Sequence, residues 1–329
     1  MSELDVNLAD LGALKEIVER AKQRLTASLI FEFRADKPNK KIDVEITSFP
    51  VATLIVGGVN DDTLTKRYAL FEAKKMYNYL TTEKDKVVLE IAQFFKWKRV
   101  TKFEATHGEL TVLNYKMHFV DYLNNAASSL VYDSRWKLVN HPLHEGQVEV
   151  TLREVCRLLQ EEIRKYLENR AAGKLPQIPP IIQDTVDEIK AEYHKIKPHV
   201  TEFDKMRVFA EESEYPPCIQ HLYDRVVKGQ HLSHLERFAL VTYLLHQGIS
   251  IDAIVTLFAG LSDFRQAQTR YQVEHLAGQR GSKTVYRPPN CATLRTHGVC
   301  IKLEDPTCRT IKSPLTYHLR KKPLDKKGQ

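Results

Sequence analysis

The sequence lacks most of the features that settle a protein's class at once. No run of eighteen apolar residues occurs, and the opening MSELDVNLADLG has no basic stretch followed by an apolar one. A membrane span or a secretion signal is therefore not expected, and a cytoplasmic protein is. A Gly-Lys-Ser/Thr phosphate loop is missing, which excludes the P-loop helicases. Also missing is Asp-x-Asp, a common way of holding two metal ions for nucleotidyl transfer; Asp43-Val44-Glu45 comes nearest, at an expected helix start. Cysteine is scarce, five in 329 residues, and no pair has the Cys-x2-Cys spacing usual in structural zinc sites.

The few cysteines are concentrated. Cys218, Cys291, Cys300 and Cys308 lie in the last third of the chain, separated by gaps of seventy-two, eight and seven residues. In a reducing compartment such thiols bind metals more often than they pair as disulfides. One centre holding all four would tie distant segments together and remove on the order of 4 kcal/mol of unfolded-chain entropy. The fifth, Cys156, flanks an apolar helix face and reads as a small core thiol.

Charge follows the same division. Residues 205–329 hold 19 Lys and Arg against 11 Asp and Glu, whereas residues 1–204 hold 30 against 31, so the net charge of +7 belongs to the cysteine-bearing part. A basic surface attracts phosphates. A solvated surface with a basic tail is the other reading, since 320–329 supplies half the excess.

At 329 residues and 43% hydrophobic content the chain can fill two cores. From the start, Asp10 caps a helix with Leu11, Leu14, Ile17, Val18, Ala21 and Leu25 on its apolar face. EITSFPVATLIVGGVNDD is ambiguous between strand and helix, and Ser48 with Pro50 marks a helix start. A helix over 62–80 presents Leu64, Tyr68, Phe71, Lys75 and Tyr79. Short mixed segments follow over 85–150, with a small antiparallel sheet or hairpin around Gly108 and a second turn at Glu145-Gly146. Helices are expected over 151–169, facing inward with Leu152, Val155, Leu159, Ile163 and Tyr166, and over 183–197, separated by the Pro-rich 171–183. A domain boundary falls between Pro198 and Pro217.

The second part opens with a capping box, Ser233 with Glu236, and Gly248 stops the helix that it starts. His231, His234 and Arg237 cluster at its N-terminus, where free backbone N–H groups and forked donors suit a polyphosphate. They equally serve as caps and solvated ions. A helix after Ser250 buries Ile251, Ile254, Val255 and Phe258. The next is expected to have its own capping box, Asp263 with Gln266, and to end at Gly278. On it Tyr271 and His275 share a face beside Arg270, a pattern for base stacking and phosphate contact on a single strand, or else a core tyrosine. A loop with Arg280, Lys283, Tyr286 and Arg287 leads to Cys291.

PPCIQHL, HLSHLERFALVTYLLHQGIS, SDFRQAQTRYQVEHLAG, YRPPNCATLRTHGVC and SPLTYHL, in that order, resemble the C-terminal iron-sulfur domain of the large subunit of DNA primase in its archaeal form. SFPVATLIV, RYALFEAKKMY, FVDYLNNA and WKLVNHPLHEGQVEVTLREVCRLLQEEI resemble the N-terminal part of the same family. The likeness spans most of the chain.

That resemblance implies a mostly α protein with a small β part. Residues 1–197 would be a helical domain with a small α/β subregion that docks on the catalytic subunit. Residues 198–215 would be a linker, 216–320 an α-rich iron-sulfur domain and 321–329 a basic tail. Cys218, Cys291, Cys300 and Cys308 would hold a 4Fe-4S cluster, with zinc the rival for the same thiolates. His231, His234 and Arg237 would grip the 5′-triphosphate of the initiating nucleotide; Arg270, Tyr271 and His275 would face nucleic acid. The family's eukaryotic members place a Tyr three residues beyond the arginine, where this chain has Leu240. The implied partners are a small catalytic primase subunit in a heterodimer, a single-stranded DNA template, an RNA primer and the initiating NTP. The chain would not itself be the enzyme. A stand-alone iron-sulfur DNA-binding or repair protein and a zinc-stapled scaffold are the other functions considered.

Overall fold

The computed structural model describes residues 11–98, 100–103, 115–127, 130, 134–172, 178–196, 215–301 and 305–317. Asp10, the turn at Gly108, all but the last residue of the linker 198–215 and the tail 321–329 lie outside these. The fold is mostly helical with one small sheet, and the chain divides into two compact units, Met1–Tyr193 and His194–Gln329.

In the first unit, helix α1 (Leu11–Ile30) is joined by a loop over 31–41 to α2 (Ile42–Val59), which a two-residue turn joins to α3 (Asp62–Leu80). On α1, Leu14, Ile17, Ala21 and Leu25 are buried at the expected spacing. The ambiguous segment is helix α2, but Ser48 and Pro50 do not start it: α2 begins at Ile42 and carries Pro50 inside. Pro50 leaves the Ile46 carbonyl without its helical donor, on a residue 50% exposed where water can take that place. By length and composition α2 could cross a membrane. Here Val44, Ala52, Ile55 and Val56 are buried and Glu45 is ion-paired, as in a core helix. On α3, Leu64, Tyr68 and Phe71 are fully buried, whereas Tyr79 is 48% exposed and Leu80 closes the face instead.

The span 85–150 holds more regular structure than its mixed pattern suggested. It contains α4 (Asp85–Phe94), α5 (Phe119–Ala126) and four short strands: β1 (Thr101–Lys102), β2 (Tyr115–His118), β3 (Leu143–His144) and β4 (Gln147–Val150). They form an antiparallel sheet in the order β1-β2-β4-β3. Glu145 and Gly146, both at positive φ, make the expected two-residue hairpin. Tyr115, Met117, Val148 and Val150 alternate onto the buried face, against α6 (Leu152–Ala172). Cys156 is in this core, and burial pushes its thiol up to about 11. Helix α7 (Pro180–Ile196) starts three residues earlier than expected, because proline at a first helical position gives up a hydrogen bond the helix does not use.

Under this core lies a buried ion network. Arg20 donates to Asp36 (2.6 Å) and Glu45 (2.7 Å), Arg24 to Glu45 and Glu72 (3.1 Å), and Lys75 to Asp36. Three cations meet three carboxylates across α1, α2, α3 and the loop between the first two.

The second unit contains α8 (Pro217–Val227), α9 (His234–His246), α10 (Ile251–Phe258), α11 (Gln266–Leu276) and two short helices, α12 (Cys291–Thr296) and α13 (Pro306–Thr310). Its core draws Ile219, Leu222, Leu240, Tyr243, Ile254 and Phe258 from α8 to α10. Ile251 is only half-buried.

Candidate functional site

The start of α9 is built as its sequence dictates. Ser233 accepts from the Glu236 amide and Glu236 accepts from the Ser233 amide at 2.7 Å, closing the capping box. Buried Arg225 clamps it by binding both Glu236 and the His231 carbonyl (2.6 Å). Glu236 is thus committed to Arg225, and Arg237 is left for another partner. Nη2 of Arg237 donates to Asp263 at 2.6 Å and Nε to the Leu232 carbonyl at 3.1 Å. His231 approaches the same Asp263 oxygen at 3.7 Å.

Asp263 was expected to cap the next helix. It does not: the N-cap of α11 is Arg265, without a side-chain cap. The Asp263 carboxylate turns toward Arg237 instead, a tertiary contact that helix-start rules do not foresee.

Between α9 and α11 lies a cavity of about 370 Å³. Phe238, Val241, Phe258, Val273 and Leu276 give it an apolar floor; His234, Arg237, Thr269, Tyr271, His275 and Tyr286 stand among its polar lining. Tyr271 is 55% exposed, so it is not the core tyrosine the helical pattern also allowed. His275 stacks on Tyr286 at 5.4 Å, and Phe238 meets Tyr286 edge-on at 6.1 Å. Tyr286 is held there by its amide, which bonds to the Leu276 carbonyl at 3.0 Å. The turn before it requires glycine at 278: φ is +74°, and a Cβ would meet the Lys283 carbonyl oxygen at 2.9 Å.

Four of the six expected nucleotide-facing residues, His234, Arg237, Tyr271 and His275, therefore line one cavity, and His231 adjoins it through Arg237 and Asp263. Arg270 does not join them. It pairs with Asp252 and lies 3.9 Å from Glu274, away from the cavity lining. Leu240 is fully buried and faces the core. Sequence reasoning missed Asp263 in its actual role and the apolar floor; the aromatic in the basic loop, Tyr286, was the one signal for the latter.

The four cysteines occupy ordered positions. Cys218 is the second residue of α8 and is buried. Cys291 opens α12 behind the Asn290 cap, and its amide binds the Lys312 carbonyl at 2.9 Å. Cys300 packs against the unit's core. Cys308 lies in α13, whose cap Asp305 accepts its amide at 2.9 Å and the Tyr317 hydroxyl at 3.1 Å. Burial pushes the Cys218 thiol up to about 12, and the charges of Cys300, Cys291 and Cys308 push the same way, so the four share one electrostatic neighbourhood. Burial and then Asp305, Cys300 and Cys291 raise Cys308 to about 11. None of the four is in a disulfide, and among the described residues no group of three or more His, Cys, Asp or Glu side chains is arranged to hold a metal ion.

Comparison with known proteins bears on both units. The N-terminal domain profile of the eukaryotic and archaeal DNA primase large subunit matches residues 6–175, and the C-terminal domain profile matches residues 210–325. The chain is 35% identical to the DNA primase large subunit PriL of Methanococcoides burtonii over 94% of its own length and 84% of that protein's. For PriL of Methanosarcina acetivorans the identity is 33% over 98% and 86%, and for that of Halobacterium salinarum 32% over 92% and 84%. With both domain profiles matched in order and full-length relatives above 30% identity, this chain belongs to the family of eukaryotic and archaeal DNA primase large subunits.

Proposed function

We propose that this chain is the non-catalytic partner of a small primase subunit. In this reading residues 1–197 dock on that subunit, 198–215 act as a tether and 216–320 hold the initiating nucleotide and template. The observation that carries the reading is the shared cavity: Arg237 supplies a cationic fork and His234 a ring nitrogen at a helix N-terminus, and Tyr271, His275 and Tyr286 supply ring faces beside them. Phosphate and base are the charged and the aromatic parts of a nucleotide, and these are the two chemistries that bind them. His231 adds a third donor for the 5′-triphosphate. Holding that end and a few template bases offsets the translational entropy lost when two free nucleotides are joined. A tether of finite reach then limits primer length, and lengthening it should lengthen the products.

The paired carboxylates for nucleotide joining would come from the small subunit. Glu45, from the nearest Asp-x-Asp substitute, is taken up by Arg20 and Arg24 in the buried network.

The donor set fits a 4Fe-4S cluster. Burial, and after it neighbouring thiols, raises Cys218, Cys291 and Cys308, and a bound cluster would supply the positive charge that favours their thiolate forms. Cys218, Cys291, Cys300 and Cys308 would be its ligands, tying α8, α12 and α13 together. A colourless preparation containing only zinc that still supports initiation would refute this.

The decisive experiment compares primer initiation with extension of a preformed primer. Arg237→Ala should lower initiation at least tenfold, the loss of one charge-assisted hydrogen bond of about 1.5–3 kcal/mol, and leave extension nearly intact. Equal losses in both would argue against a triphosphate site.

A further inference from the structure

Arg237 is held on two of its edges before any ligand arrives. Nε is tied to the Leu232 carbonyl (3.1 Å) and Nη2 to Asp263 (2.6 Å), with the guanidinium carbon 5.9 Å from the centre of the Phe258 ring. Nη1 makes no hydrogen bond to any other described residue. Asp263 comes from the turn after α10, so its hold on Arg237 joins two separate segments. Its side chain is only 17% exposed.

A carboxylate beside a phosphate-binding arginine opposes an anionic ligand by charge. It favours that ligand only if orienting the fork gains more than the repulsion costs, and a free arginine loses much rotamer freedom on binding. Two bonds along one edge of the guanidinium reduce that loss in advance and leave Nη1 unused by them, on a residue that lines the cavity.

Resting on the triphosphate reading above, we propose that Asp263 is the positioning residue for Arg237: it fixes the guanidinium so that the site prefers a 5′-triphosphate end over an uncharged end. Neither the sequence motif nor the family match assigns it this role.

The test uses the purified chain and two labelled RNA-primed templates, identical except for a 5′-triphosphate or a 5′-hydroxyl. The readout is the ratio of their dissociation constants by fluorescence anisotropy. Asp263→Ala is predicted to lower the preference for triphosphate about tenfold, although it makes the site more positive. Asp263→Asn keeps an oxygen acceptor for Nη2 and should retain the preference to within about threefold. Asp263→Glu keeps the charge but moves it by one methylene, and should lower the preference even if the alanine variant fails to fold.

A ratio that stays the same or rises in Asp263→Ala would overturn the proposal, leaving the carboxylate as a competing charge only. The same holds for a ratio unchanged in Asp263→Glu. Arg237→Ala separates the two levels. If it leaves the ratio intact, the triphosphate reading itself fails; if it abolishes the ratio while the Asp263 variants do not, the positioning role alone fails.

Discussion

Both units of this protein set arginines against carboxylates, and they use the pairing to opposite ends. In the first unit Arg20 and Arg24 are 2% and 6% exposed, and each bonds to two carboxylates. In the second, the Arg237 side chain is 26% exposed, bonds to one carboxylate and faces a cavity. A buried charge must spend its donors inside the fold, whereas a binding arginine must keep one back. The lesson is that partner count and exposure distinguish a structural arginine from a functional one where residue type cannot.

The comparison can be tested because each unit has its own reporter. Both tryptophans of the chain, Trp97 and Trp136, lie in the first unit, and a cluster would colour only the second. If the cysteines hold the cluster proposed above, the largest effect is expected from stripping it with a chelator under reducing conditions. A structural thiolate centre carries on the order of 10 kcal/mol of folding free energy. The second unit should become protease-sensitive and lose its visible absorption, while tryptophan fluorescence stays native. A change in both reporters together would mean that the units do not fold independently.

Next comes Arg20→Ala, which leaves buried Asp36 and half-buried Glu45 short of a cation. A loss of about 3–5 kcal/mol is expected in urea unfolding followed by tryptophan fluorescence, with any visible absorption of the second unit unaffected.

Acid should act on the same network more gently. Burial alone would raise the Glu45 carboxyl, but Arg20, the Asn39 amide and Arg24 hold it down at about 2, below its usual 4.5. With the folded value below the unfolded one, its stabilisation is complete above about pH 4.5 and lost as the pH falls toward 2. Asp36 is also depressed, against its burial, by Lys75 and Arg20, whereas Glu72 is raised by burial and opposes them. The net loss should be on the order of 2 kcal/mol across that window, read as a falling urea midpoint.

The smallest effects sharpen the second unit's side of the comparison. Tyr271→Ala should weaken binding of a single-stranded template by about 1–3 kcal/mol, the worth of one stacked base. Arg270→Ala, one residue away, should leave it nearly unchanged, because its guanidinium is engaged by Asp252. Equal losses would put Arg270 back at the interface.

How far the site was legible can be judged at particular residues. The Ser233–Glu236 box and the placement of His234 and Arg237 followed from spacing alone, because helix caps are local. Asp263 did not: a cap and a cross-segment ion pair use the same residue type. Arg270 and Tyr271 are neighbours in sequence with different fates, since consecutive helical positions point about 100° apart and what each meets is set by another element. In the first unit the short strands went partly unread because two- and four-residue strands carry too few alternations to show a period.

The sequence by itself determined the mostly helical character, the Ser233–Glu236 capping box, the Glu145-Gly146 turn and the family, since all of these depend on short-range pattern or on the order of long motifs. Only the tertiary structure decided that His234, Arg237, Tyr271 and His275 open onto one cavity, that Glu45 is spent inside the core and that Asp263 holds Arg237. Those outcomes depend on which faces of separate helices meet, and that is fixed by packing across the whole unit and not by any one stretch of chain.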